Sequence, residues 1–316
     1  MKNKFLLPVM VLAFGCASCN HEDDMPDKDA VVSLGVNVSL EEMYSGRSIV
    51  KGEYLASGDR IGISVVADES GGNYDGLTSG YINVAYRATG NGASQVWNPA
   101  DASKQIMLSG TEGRAIAYYP YTADITDYTA IPVDIADQHD WMYSGEVGPL
   151  HNLAPDAGFV MRHALTAVNV NVMRDESYTG AGLVSTLTVE SEGLATTGTF
   201  SAVDGVFSTV DGVNTSVSVM AAPFTLDGTN LTSKENLYMF VPASDETKDF
   251  TVTATVDGNP YKVTVSMSEA FAAGKIYQIN IKATNTGMII DSVVVLGDWV
   301  DEDLSEGNLK PNKNNS

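Results

Sequence analysis

The side chains best suited to nucleophilic, acid–base or soft-metal chemistry are scarce in this 316-residue chain: two cysteines, Cys16 and Cys19, and four histidines. Two thiols cannot build a disulfide framework or a four-thiolate zinc site. His139 beside Asp140 has the composition of half an acid–base pair, yet adjacency in sequence is not geometry. His163 sits next to a strand start and reads as a packed, hydrogen-bonded residue; His21 reads as a solvated one. There is no Gly-x-Ser-x-Gly elbow, phosphate loop, dinucleotide fingerprint or His-Glu-x-x-His. Asp298, Asp301, Asp303 and Glu306 have a spacing that could surround calcium, but they lack the Asp-x-Asp-x-Asp-Gly order, and a solvated acidic tail is the simpler reading. Trp97, Trp141 and Trp299 could form an aromatic platform for sugars, with core packing as the competing role. With 40 acidic residues, a carboxylate pair says nothing specific about glycosidase chemistry. The expectation is a protein that is not an enzyme, with no cofactor and no metal.

The 40 acidic side chains face only 18 basic ones, a net charge of −22. Each phosphate contact needs a cation, so such a chain repels nucleic acid, and it does not dock electrostatically on anionic lipid. The thiols do have one further chemistry open to them, acylation. Lys2 and Lys4, an apolar run from Phe5 to Phe14 too short to span a bilayer, and the small residues Ala17 and Ser18 describe a signal peptide over 1–18. A Cys directly after small residues resembles the lipobox of bacterial lipoproteins. Cys19 fits that role better than Cys16, which follows Phe14 and Gly15. A plain secretory signal with an inert Cys is the alternative.

What positions any site is a series of strands. Residues 19–30 form an acidic tether. From Val32 to Leu40 every even position is apolar and every odd one small or polar, the pattern of a half-buried strand. Thr166, Val168, Val170 and Val172 alternate with Ala167, Asn169 and Asn171. Leu183, Leu187 and Val189 alternate with Val184, Thr186 and Thr188. Phe250 to Val256 runs into Asp257, Gly258, Asn259 and Pro260, and Tyr261 to Met267 runs back, which predicts a β-hairpin. Val203–Val206 and Val210–Val213 repeat Val-Asp-Gly-Val, a spacing far too short for a solenoid and suited to turns bounding one short strand. Helical signals are limited to Ser266–Ala273 and Pro99–Gln105. The loop formers between Gly148 and Gly158 divide the chain into an N-terminal β-sandwich domain over 31–155 and a C-terminal one over 156–300, with a polar tail over 301–316. Many short strands with Gly and Asp turns imply an all-β fold of antiparallel sandwiches.

Taken together, several segments resemble the fimbrillin family of Bacteroides-type bacteria. They are Cys19 to Asp24, Gly58 to Ile63, the Trp97 region, Ala117 to Tyr121, Trp141 to Gly145, Phe159 to Leu165, Gly274 to Tyr277 and the Trp299 segment, in order over most of the chain. The resemblance implies two tandem transthyretin-like β-sandwich domains and a lipoprotein precursor anchored in the outer membrane through a lipid at Cys19. It further implies a trypsin-like protease cutting after an Arg, and a subunit that polymerises with other fimbrial subunits by strand exchange to support adhesion to a host or bacterial surface receptor. Arg47 and Ser48, directly after the Val32–Leu40 strand, are the matching cleavage pair, and Met288–Leu296 the matching donor strand. A non-polymerising fimbrial anchor left uncut at Arg47, and a lipid-anchored surface glycan-binding protein, are the competing functions.

Overall fold

The computed structural model describes residues 30–41, 54–67, 72, 74, 80–220, 222–226 and 237–296. Cys16, Cys19, His21, Arg47, Ser48, Trp299 and the acidic residues from Asp298 to Glu306 lie outside them. The fold is all-β. Helix among the described residues is limited to 3-10 turns, at Tyr74, Gly92–Ser94 and Ala102–Lys104, the last inside the segment expected to turn. Ser266–Ala273 passes through irregular turns instead. None of the described helices is long and apolar enough to cross a membrane.

The first half runs through β1 (Val32–Ser33), β2 (Gly35–Leu40), β3 (Arg60–Ala67), β4 (Tyr81–Thr89), β5 (Val96–Pro99), β6 (Met107–Leu108), β7 (Gly113–Tyr119), β8 (Ile131–Asp134), β9 (Met142–Leu150) and β10 (Asp156–His163). Seven of these make one sheet in the order β2-β10-β9-β7-β3-β4-β5, while β1 pairs with β6. Its two end strands, β2 and β5, approach within 8 Å, so the sheet curls almost closed around a core that includes Ile61, Ile63, Tyr86, Trp97, Phe159 and Met161. β10 falls after the division expected at residue 155, yet both of its partners, β2 and β9, belong to this first sheet. Apart from β8 and the β1–β6 pair, the first-half strands stay in this sheet as far as His163, with β10 bridging β9 to the N-terminal strand.

The second half runs through β11 (Thr166–Arg174), β12 (Leu183–Ser191), β13 (Leu194–Ala195), β14 (Thr197–Phe200), β15 (Phe207–Asp211), β16 (Val217–Ser218), β17 (Phe224–Thr225), β18 (Leu237–Pro242), β19 (Phe250–Val256), β20 (Asn259–Val265), β21 (Ile276–Thr284) and β22 (Gly287–Leu296). Sheets β13-β18-β11-β21-β22 and β16-β12-β19-β20 enclose a core that includes Val168, Val170, Phe250, Val252, Tyr277 and Ile279. Among the described strands pairing is antiparallel except for β2 with β10 and β11 with β21, which run parallel. The two Val-Asp-Gly-Val copies flank β15 as turns, with Gly205 and Gly212 in the left-handed region that favours glycine.

Two strands depart from simple alternation for identifiable reasons. In β12 a bulge between Val184 and Thr186 shifts the register, so Val184 is buried and Leu183, expected on the inner face, is 46% exposed. β11 lies between β18 and β21 and is covered on both faces, so Asn169 and Asn171 are buried along with the valines. Asn171 Nδ2 donates to Asn280 Oδ1 at 2.8 Å and Asn280 Nδ2 donates to Ser292 Oγ at 2.8 Å, which offsets the cost of burying the Asn171 and Asn280 amides, while Asn169 Oδ1 is buried without a partner.

The predicted hairpin is β19–β20, paired from Phe250 opposite Val265 to Val256 opposite Asn259. Asp257 and Gly258 both take positive φ, as a two-residue turn of this kind requires. The Asp257 carboxylate accepts hydrogen bonds from Gly182 N, Tyr178 Oη and Leu183 N, at 2.7 to 2.8 Å, and these hold its pKa below the usual carboxylate value. A group depressed in the folded state contributes stability above its unfolded pKa, about 3.9, that is lost as pH falls through the folded value. Asp257→Asn should therefore flatten the acid limb of the stability curve below about pH 4; urea titrations of both proteins between pH 2 and 6 check this.

A further sheet joins the halves. β8 from the first pairs with β14 from the second, Ile131 opposite Phe200 and Asp134 opposite Thr197, and β15 completes it.

Candidate functional site

The N-terminal strand is well patterned in the sequence and lies at one end of the seven-stranded sheet. Leu34, Val36, Val38 and Leu40 are buried against the first core, while Asn37 is exposed and Gly35 and Ser39 are half-buried on the outer side. Burying four such side chains contributes at most roughly 6–12 kcal/mol, at about 1.5–3 each. Backbone bonds fix the register: Leu34 N donates to Ile106 O and Gly35 N to Pro155 O, both at 3.0 Å, and Glu41 N to Met161 O at 2.9 Å. Asn152 Nδ2 secures the entry at Ala30 O, 2.7 Å away. A side chain at Gly35 would collide with the Asp156 carboxylate as it stands, so glycine lets the strand lie close to β10 there.

Among the described strands β2 is hydrogen-bonded along one edge only, to β10. Its other edge faces β5. A strand inserted between two others needs them about 9.5 Å apart, twice the spacing of paired strands. With β2 and β5 within 8 Å of each other there is no such room. Each edge covers the other, which blunts the tendency of exposed edges to recruit foreign strands. Removal of β2 would open a slot about one strand wide between β10 and β5, floored by Phe159, Met161 and the other residues that β2 now seals.

The chain leaves β2 at Glu41, a few residues before Arg47. The other five arginines, Arg60, Arg87, Arg114, Arg162 and Arg174, all lie within strands β3, β4, β7, β10 and β11. A protease reads extended, accessible backbone, and a strand whose backbone is engaged in a ladder must open before it can be cut.

The other residues singled out in the sequence take structural positions. His163 Nδ1 lies 2.9 Å from Asp140 Oδ1 and 2.8 Å from Oδ2, with both side chains buried. Asp140 thus pairs with a histidine 23 residues away, while its neighbour His139 is exposed. Burial, with the nearby Asp59 and Asp140 carboxylates adding to it, pushes the Tyr119 hydroxyl to about 12. Trp97 and Trp141 are 5% and 8% exposed, too buried to serve as an open platform for sugars. Among the described residues no group of three or more His, Cys, Asp or Glu side chains is arranged to hold a metal ion.

A family model described as fimbrillin-like matches residues 47–299. No curated protein matches the chain. Among solved structures, a candidate cell adhesion protein from Bacteroides uniformis ATCC 8492 superposes with a TM-score of 0.61 at 21% identity, covering 84% of this chain and 98% of that one. Another, from Bacteroides ovatus ATCC 8483, gives 0.60 at 20% identity over 87% and 100%. These likenesses establish a shared fold.

Proposed function

The chain belongs to the fimbrillin-like family and is a structural component of fimbriae at the cell surface, and from that premise we propose how it is exported and assembled. It is made as a lipoprotein precursor, acylated at Cys19 and anchored by that lipid in the outer membrane. A trypsin-like protease then cuts between Arg47 and Ser48. Loss of β1 and β2 opens the slot between β10 and β5, and a strand from the next subunit fills it, building a polymer that supports adhesion to a host or bacterial surface receptor. The two solved relatives named for cell adhesion agree with that output.

The observation that carries this reading is the construction of β2. It is the first described strand of the large sheet, it contributes a complete apolar face to the core, and among the described strands it is bonded to a single neighbour. Cutting behind it removes the whole seal in one piece. A vacated slot exposes apolar surface and unpaired backbone groups, and an incoming strand satisfies both. The placement of the other five arginines within strands favours a single Arg-directed cut.

The incoming strand is assigned to the C-terminal region. Met288–Leu296 forms most of β22 and is paired along its length with β21, from Thr284 opposite Gly287 to Ile276 opposite Leu296. To act as donor it must first detach. That full pairing also favours a second reading, in which the subunit remains uncut and serves as a lipid-held anchor.

Arg47→Ala should leave a lipid-tagged monomer, whereas the nicked wild-type protein should give ladders resistant to sodium dodecyl sulfate, with Ser48 as the new N-terminus. Complete cleavage at Arg47 without higher species would exclude strand replacement. A protein recovered from fimbriae with acylated Cys19 intact would instead establish the anchor.

A further inference from the structure

Beside β2 the surface dips into a cleft of about 270 Å³ between that strand, β10 and the turn at Gly92–Ser94. Its character is set chiefly by Asn37, Ser39, Tyr54, Gln95, Gly158 and Val160. The space exists because small residues stand where side chains would fill it. A Cβ on Gly158 or on Gly92 would meet nothing within 4 Å.

The lining combines three kinds of group. Tyr54 offers a half-buried ring and Val160, 42% exposed, an aliphatic surface. Asn37 and Ser39 present an amide and a hydroxyl on the outer side of β2. Gln95 is held through its nitrogen, Nε2 donating to Leu55 O at 2.6 Å, while its Oε1 is buried without a hydrogen-bond partner. Pairing that acceptor would relieve its penalty, and because it is shielded from solvent it reaches a ligand hydroxyl only when the Gln95 amide turns toward the cleft.

None of the described lining residues is charged, and the chain as a whole is strongly acidic, so an anionic ligand is disfavoured. The volume falls just below the roughly 300–1,000 Å³ of sites for drug-sized molecules, which limits the occupant to one or two rings. We propose that this cleft binds a neutral saccharide of one or two pyranose rings, with an apolar sugar face against Tyr54 and Val160 and hydroxyls meeting Gln95, Asn37 and Ser39. Asn37, Val38 and Ser39 belong to β2, so the site is complete only while that strand is in place. Loss of the site on processing rests on the cut proposed above; its existence does not.

Titration of the uncut chain with a panel of neutral mono- and disaccharides, read by calorimetry and by saturation-transfer NMR, tests the proposal. At least one sugar should bind at a single site. Gln95→Leu and Tyr54→Ala should each weaken it about tenfold, the effect of losing one hydrogen bond or one apolar face. Gly158→Leu, a substitution at an exposed position with free space, should fill the cleft and abolish binding while leaving the melting temperature unchanged. Failure of every sugar in the panel, or a sugar held equally well by Gly158→Leu, overturns the site. These measurements use the uncut protein, so their outcome is independent of whether Arg47 is ever cleaved.

Discussion

A chain beginning at Ser48 should fail to reach the native monomer, and a synthetic peptide spanning residues 30–41 should restore it. The argument is one of magnitudes. The seal formed by Leu34, Val36, Val38 and Leu40 is worth at most roughly 6–12 kcal/mol, and a domain of ordinary stability has only about 5–15 kcal/mol in total. Without β2 the shortened chain also leaves the edge of β10 unpaired from Asp156 to Met161. Such a species should elute as oligomers or aggregates in size-exclusion chromatography. Peptide added during refolding should bring it back to a monomer with native near-ultraviolet dichroism. The same peptide carrying Val36→Asp and Val38→Asp should not, because each charge would have to enter the core unpaired. A stable, folded monomer from Ser48 onward, with no peptide, would show that the slot needs no occupant and would remove the driving force for assembly.

That strand was also the most legible part of the sequence. One face of β2 is buried and the other is not, so period-two alternation reports its orientation directly. The hairpin at Asp257 and Gly258 was legible for a similar local reason, since the turn residues themselves dictate positive φ. Legibility ended where distant parts of the chain decide the outcome. Leu183 was misplaced because one bulge residue reverses the faces before it, and nothing in the local composition announces a bulge. Asn169 and Asn171 looked solvent-facing because the pattern cannot report that a second layer covers the outer side of β11. The pairing of Asp140 with His163 spans 23 residues and has no local signature. The same holds for the candidate site: the sequence shows a strand followed by Arg47, whereas its parallel docking on β10 and its closure against β5 emerge only from the folded sheet.

Phe200→Ala should destabilise both halves together. Phe200 is fully buried on β14 and stands between Trp141 and Tyr143 of the first half, at ring distances of 6.2 and 6.5 Å, and Phe207 of the second, at 5.7 Å. Its backbone partner across the sheet is Ile131 on β8. The buried cluster around it is continuous from Val66 and Ile116 in the first half to Val252 and Tyr277 in the second. Truncating a buried Phe costs about 3–5 kcal/mol, which for a chain of this size lowers the melting temperature by on the order of 10 °C. If β8 were merely a loop resting on an independent domain, the loss would be confined to the second half. With β8 built into a sheet of the second half, amide hydrogen exchange should accelerate in β3 and in β19 alike, and a single unfolding transition should remain. Loss of protection in β19 with β3 unchanged would show that the halves unfold separately. The shared sheet matters for a fimbrial subunit because the slot left by β2 lies in the first half and the proposed donor strand in the second. In the proposed polymer, tension would cross from one half to the other through β8, β14 and the rings around Phe200.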